Sequence, residues 1–178
     1  MAFEFITKLF DSNDRKIKEL DSIVESIDAQ ESTVENKSFD ELKARIATIR
    51  EDMRTAIDSE NSDEKAILDS HLSEVFAIVR EVAKRVIGER TYREQLMVGI
   101  ALHQGWLAEQ KTGEGKTHAA VHPMVLNSLL GKGAHLVTVN DYLARRDAEW
   151  MGPIYSKLGL SLGIINSQNT SFKFQPPV

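Results

Sequence analysis

Trp106-Leu107-Ala108-Glu109-Gln110-Lys111-Thr112-Gly113-Glu114-Gly115-Lys116-Thr117 decides how this chain is read. A short apolar run leads into a glycine-rich turn that ends in Gly-Lys-Thr. That is the layout of a phosphate-binding loop between a strand and a helix. Glycines let backbone N–H groups close around a polyphosphate, and the helix N-terminus adds a favourable partial charge. In such a loop Lys116 reaches the terminal phosphates and the Thr117 hydroxyl holds Mg²⁺. The candidate nucleotide-binding residues are therefore Thr112, Gly113, Glu114, Gly115, Lys116 and Thr117, and the expected cofactors are ATP or ADP with Mg²⁺.

Outward from the loop, the pattern alternates. Residues 106–109 read as a short strand, and a helix follows from Lys116 to about Leu130, stopped by Gly131-Lys132-Gly133. Residues 135–139 are rich in β-branched side chains and read as a second strand. Asn140 or Asp141 caps a helix to about Met151, a further helical segment covers 153–158, and 160–165 is a third apolar run of strand length. Strand, helix, strand, helix, strand predicts an α/β fold with a parallel sheet and right-handed crossovers. Pro123 falls inside the helix after the loop and predicts a kink or a new segment there. The tail from Asn166 shows no periodicity.

The first 90 residues are different. Gly88 is the first glycine, and all four prolines lie beyond residue 120. This shift in punctuation divides the chain into an all-helical region, 1–90, and the first part of a phosphate-loop domain, 91–178. Phe3, Ile6, Leu9 and Phe10 form an apolar stripe around Lys8, and Asp11-Ser12-Asn13-Asp14 reads as a break that caps the next helix. Ile17, Leu20, Val24 and Ile27 recur at helical spacing. Ser38-x-x-Glu41 is a capping box before Phe39, Leu42, Ile46 and Ile49. The polar stretch 58–64 reads as a turn. The helix beyond it points Leu68, Leu72, Val75, Phe76, Val79 and Val82 inward and Arg80, Lys84 and Arg85 largely outward.

Composition narrows the function classes. Of 178 residues, 42% are hydrophobic and 28% charged, which fits a soluble protein with a real core. A net charge of −5 argues against a dedicated nucleic-acid binder, so no nucleic-acid partner is expected. Without cysteine there is no disulfide framework and no Cys-based zinc site. His118 and His122 share a helix face but read as ordinary surface or core residues. No apolar run approaches the ~20 residues of a membrane span, and a cytosolic protein is the default.

Two further features bear on the loop. Its first position is Gln110 where the general rule has glycine, and T-G-x-G-K-T is the form used by helicase-like motors. Gln95, upstream in R-T-Y-R-E-Q-L, is placed to pair with an adenine edge through its amide, the alternative being a surface glutamine on a helix. Tyr92 reads equally as a base-stacking ring or a partly buried core aromatic. Asp141 reads as a helix cap or a residue of the substrate face, and Arg145 and Arg146 as a solvated face. The acidic pair that polarises water in hydrolysis is missing. Asp40-Glu41 and Asp63-Glu64 are the only Asp-Glu pairs, and both lie in the helical half.

AEQKTGEGKT (108–117) followed by GKGAHLVTVNDYLARRDAEWMGPIYSKLGLSLGII (131–165) resembles the SecA family, the ATPase motors of bacterial preprotein translocation. NDRKIKEL (13–20), FAIVREVAKRVIG (76–88) and QLMVGIALHQG (95–105) fit the same family. The resemblance implies that Gln95 is the adenine-reading glutamine, that 113–117 form the phosphate loop, and that 138–146 form a helicase-type motif beside the cleft. It implies an incomplete helicase-like parallel sheet preceded by the helical region. It implies a first helix that meets acidic lipids and a SecY-type channel at the inner face of the plasma membrane, with preprotein bound by domains outside these residues. Phe3, Ile6, Phe10 and Lys8 suit that role and equally suit docking on a partner helix. The chain departs from the family pattern at Tyr92-Arg93-Glu94, where Phe-Asp-Val is usual, at His118, where an apolar residue is usual, and in the polar stretch 53–68. It is expected to be an N-terminal piece of the first motor domain that hydrolyses ATP poorly alone, with an unpaired sheet edge that invites self-association. Two other readings stay open: a fragment of a helicase-like nucleic-acid motor, and a non-enzymatic helical interaction module.

Overall fold

A computed structural model describes residues 2–58, 62–167 and 170–176, with side chains from residue 13 onward. Six helices precede a small hairpin: α1 (Ala2–Val34), α2 (Phe39–Ile57), α3 (Glu64–Ile87), α4 (Arg93–His103), α5 (Lys116–Ser128), α6 (Asp141–Lys157), β1 (Gly163–Ile165) and β2 (Ser171–Lys173).

The helical region forms as its periodicity dictates. Leu20, Val24, Ile27 and Val34 of α1 are buried, though Ile17 is exposed. The expected break at 11–14 does not occur, and α1 runs through it. Asp, Ser and Asn are only mildly poor helix formers, and with no Gly or Pro nothing there stops a helix. The side chains of the apolar stripe at Phe3, Ile6, Leu9 and Phe10 lie outside the described residues. The capping box is present. Glu41 N–H donates to Ser38 Oγ at 3.2 Å, and Ser38 N–H donates to Glu41 Oε2 at 2.7 Å. Two-sided capping holds the Glu41 carboxyl below its usual range, the Ser38 backbone bond being the main cause. Asp63 caps α3 through the N–H groups of Lys65 and Ala66.

α3 is the central post, buried along Val75 to Ala83, with α1, α2, α5 and α6 packed against it. Arg80 does not point outward as its helical position suggested. It is buried at 2% exposure because Asp28 and the Thr91 carbonyl receive its guanidinium. Arg85 is also drawn in, bonding the carbonyls of Lys37 and Glu35. One hydrophobic cluster runs from Leu20 to Leu158, so both halves of the chain share a core.

Pro123 and Pro153 sit inside α5 and α6 without dividing them. Pro153 leaves the carbonyl of Glu149 without a helical donor, and Glu149 is exposed to water. Pro123 leaves the Ala119 carbonyl without one, and α4 covers it closely. A Cβ built on Gly99 would lie 3.0 Å from that oxygen.

The expected parallel sheet is not present among the described residues. Residues 106–109 and 135–139 are in neither helix nor strand, and Leu107, Val137 and Val139 are exposed. The third run yields only β1, paired antiparallel with β2 from the tail, Ile164 opposite Phe172. The reason is physical. A helix bonds to itself, whereas a strand needs a ladder partner, and neither segment has one among the described residues.

Candidate functional site

The glycine-rich loop joins the extended segment 106–111 to α5. Gly113 and Gly115 take φ of +89° and +81°, in the left-handed region that favours glycine. Ala119 N–H bonds Gly115 O at 3.0 Å and is the first amide of α5 with a helical acceptor. The N–H groups of Lys116, Thr117 and His118 therefore belong to the open end of the helix. Lys116 Nζ donates to the Lys111 carbonyl across the loop at 2.8 Å. Gln110 Nε2 donates to the Glu114 carbonyl at 2.6 Å.

Gln95, on the first turn of α4, faces this loop. Its Oε1 accepts from Tyr92 N–H at 3.0 Å, and its Nε2 donates to the Glu114 carbonyl at 3.0 Å. It is buried at 8% exposure, so it is not a free surface glutamine. The approach is close: a Cβ on Gly115 would fall 2.2 Å from Gln95 Nε2. Tyr92 is 68% exposed and is no core aromatic. The structure thus brings together Gln95, Glu114, Gly115 and, through α5, Lys116 and Thr117.

Beneath the loop lie two histidines. His118 Nε2 is 3.2 Å from Thr91 Oγ1, and its Nδ1 is 3.7 Å from Glu89. Burial holds its imidazole below the ordinary value. His122, one turn on, is wholly buried against Phe76, with both ring nitrogens lacking a partner among the described residues. Burial first, then the nearby His118 and Arg80, lower its pKa to about 3. Both are core residues.

Thr138 and Ala144 of the 138–146 segment line the same cavity as Thr117. Asn140, not Asp141, caps α6, its Oδ1 accepting from Leu143 N–H at 2.9 Å. Asp141 accepts from Ser167 N–H at 3.0 Å and from the Ser167 hydroxyl, and these bonds lower its pKa. Arg145 stacks on Phe172 at 5.0 Å and donates to the Asn166 side-chain oxygen at 2.6 and 2.8 Å. Arg146 pairs with Asp147 at 2.6 Å on the surface. The β1–β2 hairpin thus covers the start of α6. Between α5 and α6 a cavity of about 490 Å³ is lined by Thr117, Met124, Thr138, Met151, Tyr155 and Leu162. Burial pushes the Tyr155 hydroxyl pKa up.

Sequence reasoning missed the support behind Gln95. Arg80, Arg93, Asp21 and Asp28 form an ion-paired group there. A signal existed: Asp21 and Asp28 are seven apart on one helix face, and Arg93 stands two residues before Gln95. The two Asp-Glu pairs sit at the starts of α2 and α3, as helix-capping acids.

Residues 6–175 match the family described as the SecA DEAD-like domain, and the chain belongs to that family. It is 54% identical over 166 residues to the protein translocase subunit SecA of Thermosipho africanus, covering 93% of this chain and 18% of that protein. The Lawsonia intracellularis subunit is 50% identical, covering 92% of this chain and 19% of its own length. The Thermotoga maritima subunit is 51% identical, covering 93% and 18%. The chain therefore spans about a fifth of the length of these relatives. Among the described residues, no helix is long and apolar enough to cross a membrane.

Proposed function

We propose that this chain is the nucleotide-binding N-terminal portion of a SecA-type motor. The whole motor uses ATP to drive preproteins across the bacterial plasma membrane. The observation that carries this is the seating of Gln95 on the loop. Its amide bridges the first turn of α4 to the Glu114 carbonyl, beside Gly115 and the open end of α5. The residues fit a polyphosphate. Two glycines keep the loop free of side chains where it turns, and the unpaired amides at the start of α5 are donors. Lys116 now spends its charge on a neutral carbonyl, which an anion would outcompete.

In this reading Thr112, Gly113, Glu114, Gly115, Lys116 and Thr117 hold the phosphates of ATP or ADP. The Thr117 hydroxyl is a ligand for Mg²⁺, and Gln95 reads the adenine. The ion would neutralise phosphate charge. These residues bind and orient, and the 178 residues hold no strand-end acidic pair, so the chain alone does not hydrolyse ATP. Residues 106–109, 135–139 and 160–165 become strands of a helicase-like parallel sheet once further strands lie beside them. The exposed apolar side chains of the unpaired segments and the cavity between α5 and α6 support this. The partners of the whole motor are a SecY-type channel, acidic lipids and preprotein, and its place is the inner face of the plasma membrane.

Calorimetric titration of the chain with MgADP tests the reading. Binding near 100 µM to 1 mM is expected, roughly −5 kcal/mol, because the donors come from one loop and one helix N-terminus. Lys116→Ala removes it. A folded sample that binds nothing at millimolar MgADP sinks the proposal and favours a helical interaction module. Mg²⁺-dependent ATP turnover lost on Lys116→Ala would overturn the expected inactivity.

A further inference from the structure

The turn that carries Gln95 is held from α1. Arg80 of α3 donates from Nε to the Thr91 carbonyl at 3.0 Å and from Nη1 to Asp28 Oδ1 at 2.5 Å. Arg93 opens α4 and donates from Nη1 to Asp28 Oδ2 at 3.0 Å. Its Nε donates to Asp21 Oδ1 at 2.8 Å, and its Nη2 to the Asp21 carbonyl at 3.2 Å. Arg90 forms a two-point pair with Glu31 at 2.8 and 2.9 Å. Asp21, Asp28 and Glu31 lie along one face of α1. Further along, Lys16 lies over the Trp106 ring at 4.7 Å, where the chain enters the loop segment.

The Arg80–Thr91, Arg90 and Arg93 contacts land on the short connection between α3 and α4 or on its ends. Thr91 is fully buried, its carbonyl taken by Arg80 and its hydroxyl by His118. Tyr92 N–H is taken by Gln95, whose other amide atom reaches Glu114. Packing α1 on α3 needs none of this. Apolar contacts do that without desolvating a guanidinium, which is costly unless every donor is paired. What the ion pairs add is a defined position for the turn.

We propose that Asp21, Asp28, Arg80 and Arg93 are positioning residues of the nucleotide site. α1 sets the Thr91-Tyr92 turn, the turn sets Gln95, and Gln95 sets base recognition. This rests on the nucleotide reading above. By linkage, whatever firms the docking of α1 firms adenine-nucleotide binding by the same factor, and the reverse. No bond among the described residues joins these four side chains to Lys116 or Thr117. Their loss therefore falls on Gln95 and reaches the phosphate loop only through the Glu114 carbonyl, so base recognition suffers more than phosphate binding.

The test is calorimetry on the 178-residue chain with MgADP, MgGDP and magnesium pyrophosphate. The variants are Arg93→Glu, Arg93→Glu with Asp21→Arg, Gln95→Ala, and Gln95→Ala with Arg93→Glu. Arg93→Glu is expected to weaken ADP about tenfold, the size of a lost charge-assisted contact, and to narrow the preference for ADP over GDP. Pyrophosphate should change by less than about twofold. Adding Asp21→Arg restores ADP affinity, and adding Arg93→Glu to Gln95→Ala costs nothing more. A role in folding alone would weaken all three ligands together and lower the unfolding temperature in parallel. That result overturns the inference, as does unchanged ADP affinity in Arg93→Glu, or additive losses in the double variant. If the folded wild-type chain binds no ADP, the nucleotide reading fails and this inference fails with it. If it binds ADP and pyrophosphate but Arg93→Glu has no effect, only this inference fails.

Discussion

Gly115 has backbone and neighbours that both exclude a side chain. Its φ of +81° costs an L-residue about 1–2 kcal/mol, and its Cβ would press on the Gln95 amide. Gly115→Ala is therefore expected to lower stability by about 1 kcal/mol and to push Gln95 off the Glu114 carbonyl. Chemical denaturation reads the first effect and the loss of ADP-over-GDP preference the second. An unchanged preference would mean that Gln95 does not need that seat. His122 carries a second prediction. Its folded pKa is about 3, below the ordinary 6.5, so the unfolded chain binds the proton more tightly. Stability is then full above pH 6.5 and falls as pH drops toward the folded value. The slope is about 1.4 kcal/mol per pH unit from this group, or roughly 2 kcal/mol by pH 5. His118 adds in the same direction. His122→Leu removes the His122 share, and urea midpoints at pH 7 and pH 5 measure it. At this scale Gln95 and the loop were legible because their chemistry is local. Arg80 was not, because its partner Asp28 is 52 residues away and the helical wheel sees only near neighbours.

Helices and strands differed in how far the chain alone revealed them. The Ser38–Glu41 capping box could be read because both partners lie in one turn of sequence. Ser38→Ala should cost about 1 kcal/mol, seen as a lower urea midpoint with an unchanged slope. The run at 135–139 has the right residues for a strand, yet stays unpaired, since a ladder depends on a second segment that periodicity cannot supply. Pro153 misled in the opposite direction, since α6 runs through the expected division. Pro123 breaks a helix in water, but here α4 lies close over the carbonyl it leaves bare. That closeness makes Gly99 the sensitive point of the α4–α5 contact. A methyl there would meet Ala119 O at 3.0 Å and Phe76 and Pro123 at 3.3 Å. Gly99→Ala gains about 1 kcal/mol of helix propensity but overpacks a contact that has no slack, at about 1–3 kcal/mol. Net destabilisation with weaker ADP binding is expected, because α4 also carries Gln95. A more stable variant with unchanged binding would show that the interface can relax.

Across the whole molecule the buried and exposed apolar surfaces are unequal in kind. The core is continuous from α1 to the end of α6. The face carrying 106–109 and 134–139 is different. Leu107, Val137, Val139 and Ile165 are each more than three-quarters exposed, in segments that make no ladder or, at β1, have one partner strand. Free strand-forming segments of this kind are templates for pairing with another chain. In the isolated 178 residues the nearest such chain is a second copy. The mass from light scattering is therefore expected to rise with protein concentration. Val137→Lys with Val139→Lys should hold the mass at the monomer value, because a charge at alternate positions marks the edge as unpaired. The same change should move stability by no more than about 0.5 kcal/mol, since both side chains already face water. A wild-type chain that stays monomeric at every concentration would mean these segments are shielded in solution, and the proposal that they await strands would lose its main support.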